Sequence, residues 1–358
     1  MLEKILNKIR PLNRETMNIA QAHQDQLACP LGSLGRLHEF GVKLAGITGD
    51  PRPVIHDLAV ITMAGDHGVA NQGVSKYPQA VTREMVANFA RGGAAINVLA
   101  SHVGARLIVV DMGVAGPKMK VEINQDKMVR YLERNIMSGT NDISKGPAMT
   151  REQAIDALET GIQIFLEEKD QGLDAVGTGD MGIANTTPSA AIAAAIMGID
   201  PAKVVNRGTG IDEIALDNKI WIVIRALEVN QPDIKDPVDV LSKIGGFEIG
   251  GIAGVILGAC AYRVPVVVDG FISTAAALLA STFHPEVKNY LFAGHRSAVK
   301  GHHKMLETLG LDPILDLRMR LGEGTGATLA LSTLAAASRV ATEMLTFKEA
   351  QVSGPAAS

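Results

Sequence analysis

The stretch Leu58-Ala59-Val60-Ile61-Thr62-Met63-Ala64, followed at once by Gly65-Asp66-His67-Gly68-Val69, decides the fold. From residue 57 to 64 the run is rich in β-formers and apolar without alternation. A strand with one wet face would alternate, so this one is covered on both faces, as strands of parallel sheets are. It breaks at Gly65 into a polar loop through Tyr77 and Pro78, and helical spacing then runs over about residues 81–103. Strand, loop and helix in that order form one unit of an α/β chain.

The unit recurs outward from there without a fixed period. Candidate strands lie at 106–110, 173–176, 203–205, 264–268 and 290–292, each followed by Gly or Asp and then by helical periodicity. Right-handed crossovers join such strands into one sheet. The expected fold is therefore α/β: a doubly wound, mostly parallel sheet of about six strands, Rossmann-like and three-layered. Residues 1–49 carry helical spacing around Leu2, Ile5, Ile9, Leu34, Leu37, Phe40 and Leu44, interrupted by Pro30 and Gly32. Residues 325–347 form an Ala/Leu-rich helix, and the tail from 351 frays. The expected division is a small helical domain from both termini, 1–49 with 328–358, and a large α/β domain over 50–327.

The 358 residues are 47% hydrophobic but only 4% aromatic, so the core is built from Ala, Val, Ile, Leu and Met. A net charge of -4 shows no basic excess, which argues against nucleic acid or an anionic membrane as partner and for small molecules. Cys29 and Cys260 are too few for a disulfide framework or a zinc site, so a reducing cytoplasm is expected. The charged residues from Met1 to Met17 leave no apolar core for a secretory signal, and 181–199 is interrupted by polar residues that lipid would not accept.

In a parallel sheet, ligands bind outside the carboxyl ends of the strands. Several stretches that fall there carry chemistry. Leu321-Gly322-Glu323-Gly324-Thr325-Gly326 sets one carboxylate among glycines that permit positive φ or close approach to a ligand. By itself, Glu323 also suits a plain turn in which it complements a helix dipole. Gly177-Thr178-Gly179-Asp180-Met181-Gly182 spells GxGxxG, but Asn185-Thr186-Thr187-Pro188-Ser189 delays the helix that a dinucleotide fold would begin inside the motif. A phosphate or ribose cradle of backbone N–H groups with the Asn185 and Thr186 side chains fits better, a capping loop being the alternative. Gly208-Thr209-Gly210-Ile211-Asp212 repeats the pattern before a helix over about 213–229 that carries Lys219, a flexible cation able to reach a phosphate.

Val267-Val268-Asp269-Gly270-Phe271 delivers an acid from a strand end, suited either to a ribose or base contact or to capping a helix. Gly270 stands where a second acid would anchor magnesium and pyrophosphate, so neither metal nor cofactor is expected. His67, His295, His302 and His303 read as structural or exposed, although Gly294-His295-Arg296-Ser297 after a strand could join an anion site. No P-loop, HExxH or GxSxG motif is present.

Taken in chain order, Gly65 to Val69, Ser75-Lys76-Tyr77-Pro78-Gln79-Ala80-Val81-Thr82, Gly177 to Pro188, Gly208 to Asp212, Val267 to Phe271, Gly294 to Ser297 and Leu321 to Gly326 resemble the nicotinate-nucleotide:dimethylbenzimidazole phosphoribosyltransferase family over nearly the whole chain. The resemblance implies transfer of phosphoribose from nicotinate mononucleotide to 5,6-dimethylbenzimidazole, giving α-ribazole 5′-phosphate for the lower ligand of cobalamin. It implies Glu323 as the general base. It sets Gly182, Asn185, Gly208, Lys219, Gly270 and Ser297 around phosphate and ribose, and Ser75, Tyr77, Gln79, Met85 and Leu321 around the aromatic base. Arg320 would pair with the nicotinate carboxylate. Asp180 departs from the glutamate usual in the family. A homodimer is implied, its small helical domain bordering the partner's site.

Overall fold

The computed structural model describes residues 1–354 apart from 125–127 and 209. Its centre is a seven-stranded, wholly parallel sheet in the order β3-β2-β1-β4-β5-β6-β7. The strands are β1 (Leu58–Gly65), β2 (Arg106–Gly113), β3 (Val129–Glu133), β4 (Ala175–Met181), β5 (Val266–Val268), β6 (Leu291–His295) and β7 (Pro313–Leu315). Helices α1 (Leu2–Leu6), α2 (Arg14–Gln24) and α3 (Arg36–Thr48) precede β1, and α4 (Ala80–Arg91) and α5 (Ala95–Val103) cross from it to β2. Helix α6 (Arg151–Lys169) leads into β4. Helices α7 (Thr186–Met197), α8 (Glu213–Asn230), α9 (Pro237–Ile244) and α10 (Phe247–Ala261) join β4 to β5. Then come α11 (Phe271–Phe283), α12 (Val287–Tyr290), α13 (His302–Leu309) and, after β7, α14 (Thr325–Glu343).

Every residue of β1 is buried, because alternate side chains meet helices on opposite faces. Met63 abuts Gly251 of α10, while the hydroxyl of Thr62 points the other way, to the residue preceding α14's cap. This is the double coverage that the unalternating run predicts. The termini meet as well: Leu27 and Thr346 form an antiparallel bridge, and the His23 imidazole bonds the Ala341 carbonyl of α14. Among the described residues, no helix is long and apolar enough to cross a membrane.

Four expectations fail locally. Residues 203–205 form no strand: Asp200 accepts the Ala202 N–H, Pro201 follows, and a 3-10 turn (Pro201–Lys203) replaces it. The edge strands β3 and β7 lie outside the expected set, and both are short and incompletely buried. The helix expected over 81–103 is two helices, interrupted at Gly92-Gly93. Helix α7 starts at Thr186 rather than after Pro188, since a proline in the first turn forfeits no intrahelical hydrogen bond.

Candidate active site

From β1 the chain winds through β2 to β3 on one side, and from β4 it winds through β5 and β6 to β7 on the other. Neighbouring crossovers therefore part at β1 and β4, and a crevice opens beyond their carboxyl ends. There lies a cleft of about 350 Å³. Asp180, Gly182, Asn185 and Thr186 line it from the end of β4 and the start of α7, and Ser75, Tyr77 and Gly208 from loops beside them. Gly270, Ser297, Arg320 and Leu321 close the other side, after β5, after β6 and before α14. Of the Gly208–Asp212 loop, Thr209 lies outside the described residues.

One end of the cleft is built for an anion. Lys219 is wholly buried, and its ammonium donates to Thr186 Oγ1 at 2.6 Å, close beside Gly208. Burial pushes its pKa from 10.5 down to about 7. A cation held out of water without a carboxylate beside it gains strongly from an incoming anion. The amino terminus of α7 meets the cleft at the same place through Thr186, and its dipole favours an anion there. Across the cleft, Ser297 donates its N–H to His302 Nδ1 at 3.0 Å, and His302 Nε2 lies 2.9 Å from Thr274 Oγ1. Burial first, and then its basic neighbours, hold His302 neutral, with its pKa down at about 3, so this histidine shapes the Ser297 turn.

The other end is acidic. Glu323 is buried and left-handed, with φ of 64°, between Gly322 and Gly324 at 85° and 97°. Its Oε2 accepts the Ile96 N–H at 3.2 Å, at the start of α5. Burial, and secondarily the Asp269 charge, raises its pKa above the ordinary glutamate value, while the Ile96 bond opposes the rise. Asp180 is raised further, first by burial and then by Asp269, despite the 3.0 Å bond from Asn185 Nδ2. Asp269 accepts from the N–H groups of Gly324, Gly326 and Ala327 at 3.3, 2.7 and 3.0 Å. Of its two suggested uses, capping is therefore the one visible here, but the helix is the distant α14 rather than the next one, α11.

The first two glycines of GxGxxG do not form a phosphate turn, whereas the third, Gly182, lies in the loop that lines the cleft. Gly177 and Gly179 belong to β4 itself and leave its face bare where α14 and the Glu323-Gly324 peptide lie against it. A side chain at Gly179 would collide with the Glu323 carbonyl.

Five of the anticipated site residues lie off the lining: Gln79, Met85, Lys219, Asp269 and Glu323. Gln79 bonds the His67 carbonyl at 3.4 Å, and Met85 packs against the core from α4, one turn behind the Ser75–Tyr77 loop. Lys219 and Glu323 sit directly behind lining residues, Thr186 and Gly322.

Other participants carry no local signal of a part in the site, although His67 and His295 stand in stretches quoted above. His295 lines the cleft, packed between Asp269 and Gly326. His67 pairs with Glu248 at 2.8 Å, both fully buried, behind the end of β1. Glu248 does leave one signal: it is the single acid in the otherwise apolar, glycine-rich 247–261. Asp66 accepts from Thr82 Oγ1 and the Ala115 N–H, and Thr82 in turn accepts from the Ile183 N–H, tying α4 to the loop after β4.

Known proteins share this sequence and fold over nearly their whole length. A family model described as phosphoribosyltransferase matches residues 9–352. The nicotinate-nucleotide–dimethylbenzimidazole phosphoribosyltransferase of Chloroflexus aggregans is 53% identical over 99% of this chain and 98% of its own length. That of Geobacter sulfurreducens is 52% identical over 98% of each. The crystal structure of CobT from Thermus thermophilus superposes with a TM-score of 0.89 at 42% identity, covering 95% of this chain and all of that one. The chain belongs to the nicotinate-nucleotide–dimethylbenzimidazole phosphoribosyltransferase family.

Proposed function

We propose that the cleft moves phosphoribose from nicotinate mononucleotide to 5,6-dimethylbenzimidazole, releasing nicotinate and α-ribazole 5′-phosphate for the nucleotide loop of cobalamin. What carries this reading is one cleft with a buried Lys219, beside which no carboxylate lies among the described residues, behind one end and a buried Glu323 of raised pKa behind the other. The phosphate sits at Thr186, Gly208 and the α7 amino terminus, charged against Lys219, with Gly182, Asn185, Gly270 and Ser297 about the ribose. Ser75, Tyr77, Gln79, Met85 and Leu321 shape the base pocket, and Arg320 meets the nicotinate carboxylate from the exposed rim. Asp269 acts by fixing α14, and Asp180 by bounding the pocket through Asn185.

One nitrogen of the base forms the new bond to the anomeric carbon as the bond to nicotinate breaks. That electron pair neutralises the pyridinium ring, and the proton on the other nitrogen goes to Glu323. A positioned base contributes on the order of a hundred- to ten-thousand-fold. The test is nicotinate release from the two substrates: Glu323→Gln, folded, should turn over slower by roughly that factor. Undiminished turnover would remove Glu323 from the chemistry. A dinucleotide oxidoreductase gains nothing from the structure, because the first two motif glycines, Gly177 and Gly179, lie within β4 rather than in a turn.

The same reading takes residues 1–49 with 328–358 as a small helical domain beside the large one at 50–327, supported by the Leu27–Thr346 bridge; 355–358 fall outside the described residues. It takes the protein as a cytoplasmic homodimer. Two free thiols suit the compartment, and sedimentation tests the assembly.

A further inference from the structure

Glu323 holds a backbone conformation that non-glycine residues seldom adopt. Strain of this kind persists only where the surroundings over-determine it. Its N–H donates to the Asp180 carbonyl at 3.1 Å, and Asp269 secures the amides of Gly324, Gly326 and Ala327, so the chain is fixed on both sides. The Glu323 carbonyl lies over the sheet, where two neighbouring positions receive it. Thr62 of β1 donates its hydroxyl at 2.7 Å, and Gly179 of β4, the register partner of Thr62, leaves its face empty.

Thr62 is the one polar side chain of an otherwise apolar strand and is fully buried. A valine of the same shape would satisfy the strand at least as well, since a buried hydroxyl is tolerated only with a partner. Its partner is the peptide of the proposed base. Below it on the same face, Val60 and Gly177 repeat the pairing beneath Gly324, Ala327 and Leu331.

We infer that Thr62 is a positioning residue for the reaction, forming with the bare face of Gly179 a seat that holds the Glu323 peptide left-handed and its carboxylate at the Ile96 N–H, directly behind Gly322 of the cleft lining. This rests on the reading of Glu323 as the base. Without the hydroxyl, the Glu323 carbonyl is left buried and unpaired, and the peptide relaxes away from the sheet. The side chain then leaves the Ile96 N–H and the burial that raises its pKa.

Thr62→Val, Thr62→Cys and Thr62→Ser graded against wild type test the seat, with kcat, KM for nicotinate mononucleotide and the pH–rate profile measured for each. In Thr62→Val, kcat should fall roughly 10- to 100-fold, the loss typical of a misplaced catalytic group, with KM unchanged. The acidic limb of the profile should move down toward the ordinary glutamate range. Serine should restore both, and cysteine, a poor donor of similar size, should lie between. A folded Thr62→Val variant with wild-type kcat and limb overturns the proposal. If valine prevents folding, equal kcat for cysteine and serine overturns it instead. An inert Glu323→Gln beside a fully active Thr62→Val sinks the seat alone, whereas a fully active Glu323→Gln removes the base and the seat's purpose together.

Discussion

Replacing Lys219 by methionine should make the protein more stable and less able to hold its substrate. Lys219 is wholly buried, and burial takes its pKa from 10.5 to about 7. Between those values the unfolded chain carries a proton on this residue that the folded chain does not, so stability rises with pH across that window. The sign is fixed by a folded-state pKa that is lowered. The penalty is complete below pH 7, about 5 kcal/mol at 1.36 kcal/mol per unit, and falls to about 2 kcal/mol at pH 9. Methionine keeps the chain's shape without the charge, while Thr186 Oγ1 loses a partner worth about 1 kcal/mol. Denaturant melts should therefore find Lys219→Met more stable by roughly 2–4 kcal/mol at pH 6, with the advantage shrinking by about 2–3 kcal/mol by pH 9.

Binding should move the opposite way. A phosphate beside Lys219 restores its charge, so at pH 8, where the free lysine is about nine-tenths neutral, the wild type takes up nearly one proton per nicotinate mononucleotide bound. Calorimetry in buffers of different ionisation enthalpy reads that uptake directly. Lys219→Met should take up none and bind roughly 10- to 100-fold more weakly, the usual worth of a charge-assisted contact. A methionine variant that is less stable at pH 6, or whose stability difference is flat with pH, refutes the assignment of a desolvated cation. Loss of binding with no proton uptake by the wild type refutes its link to phosphate.

The raised pKa of Glu323 implies that kcat/KM falls with acid through a midpoint above 4.5, and that Glu323→Gln abolishes this limb; a limb that survives belongs to another group. Gly179→Ala sets a methyl against the Glu323 carbonyl, so urea melts should show a loss of about 1–3 kcal/mol and turnover should drop sharply. Wild-type turnover there would mean that the peptide moves freely. Asp269→Asn keeps the shape but weakens acceptance from three amides of the α14 amino terminus; about 1–2 kcal/mol of stability should go, with kcat falling more than KM rises. A pure rise in KM would instead make Asp269 a substrate contact.

Local chemistry made some of this legible before any coordinates. The unalternating run at 58–64 could only be a doubly covered strand, and it is β1, buried throughout. Asp66 and Asp269 fell just past strand ends because the strands all run one way, whereas Gly177 and Gly179 lie inside β4 and Gly208 follows no strand. Part of what failed was governed by partners distant in sequence. β3 and β7 are short edge strands whose identity comes from the neighbour they pair with. Residues 203–205 look like a strand until Asp200 and Pro201 are seen to coil them. Gly177 and Gly179 are bare for the sake of α14 and the Glu323-Gly324 peptide before it, over a hundred residues away in sequence, and no local rule assigns them to it. The Ile96 amide that holds Glu323 has no side-chain signature at all, since any residue offers the same N–H.

The charges in the cleft also say why an acid without a metal suits this reaction. The donor brings a phosphate and a cationic pyridinium ring, and the site presents a buried cation behind Thr186 and buried acids about Asp180, Asp269 and Glu323. Only one orientation matches both ends, because desolvated like charges repel strongly where water cannot screen them. As the glycosidic bond breaks, the pyridinium loses its positive charge, which by itself would leave the acids unbalanced in a poorly solvated pocket. On the proposed reading, the base in the same step surrenders a proton to Glu323, whose raised pKa favours accepting it. One positive charge disappears from the ring and one negative charge from the carboxylate, so the acidic end stays balanced throughout. A lower pKa at Glu323 would weaken that exchange. This is why its burial, its amide partner and its left-handed seat belong to the chemistry as much as the carboxylate does.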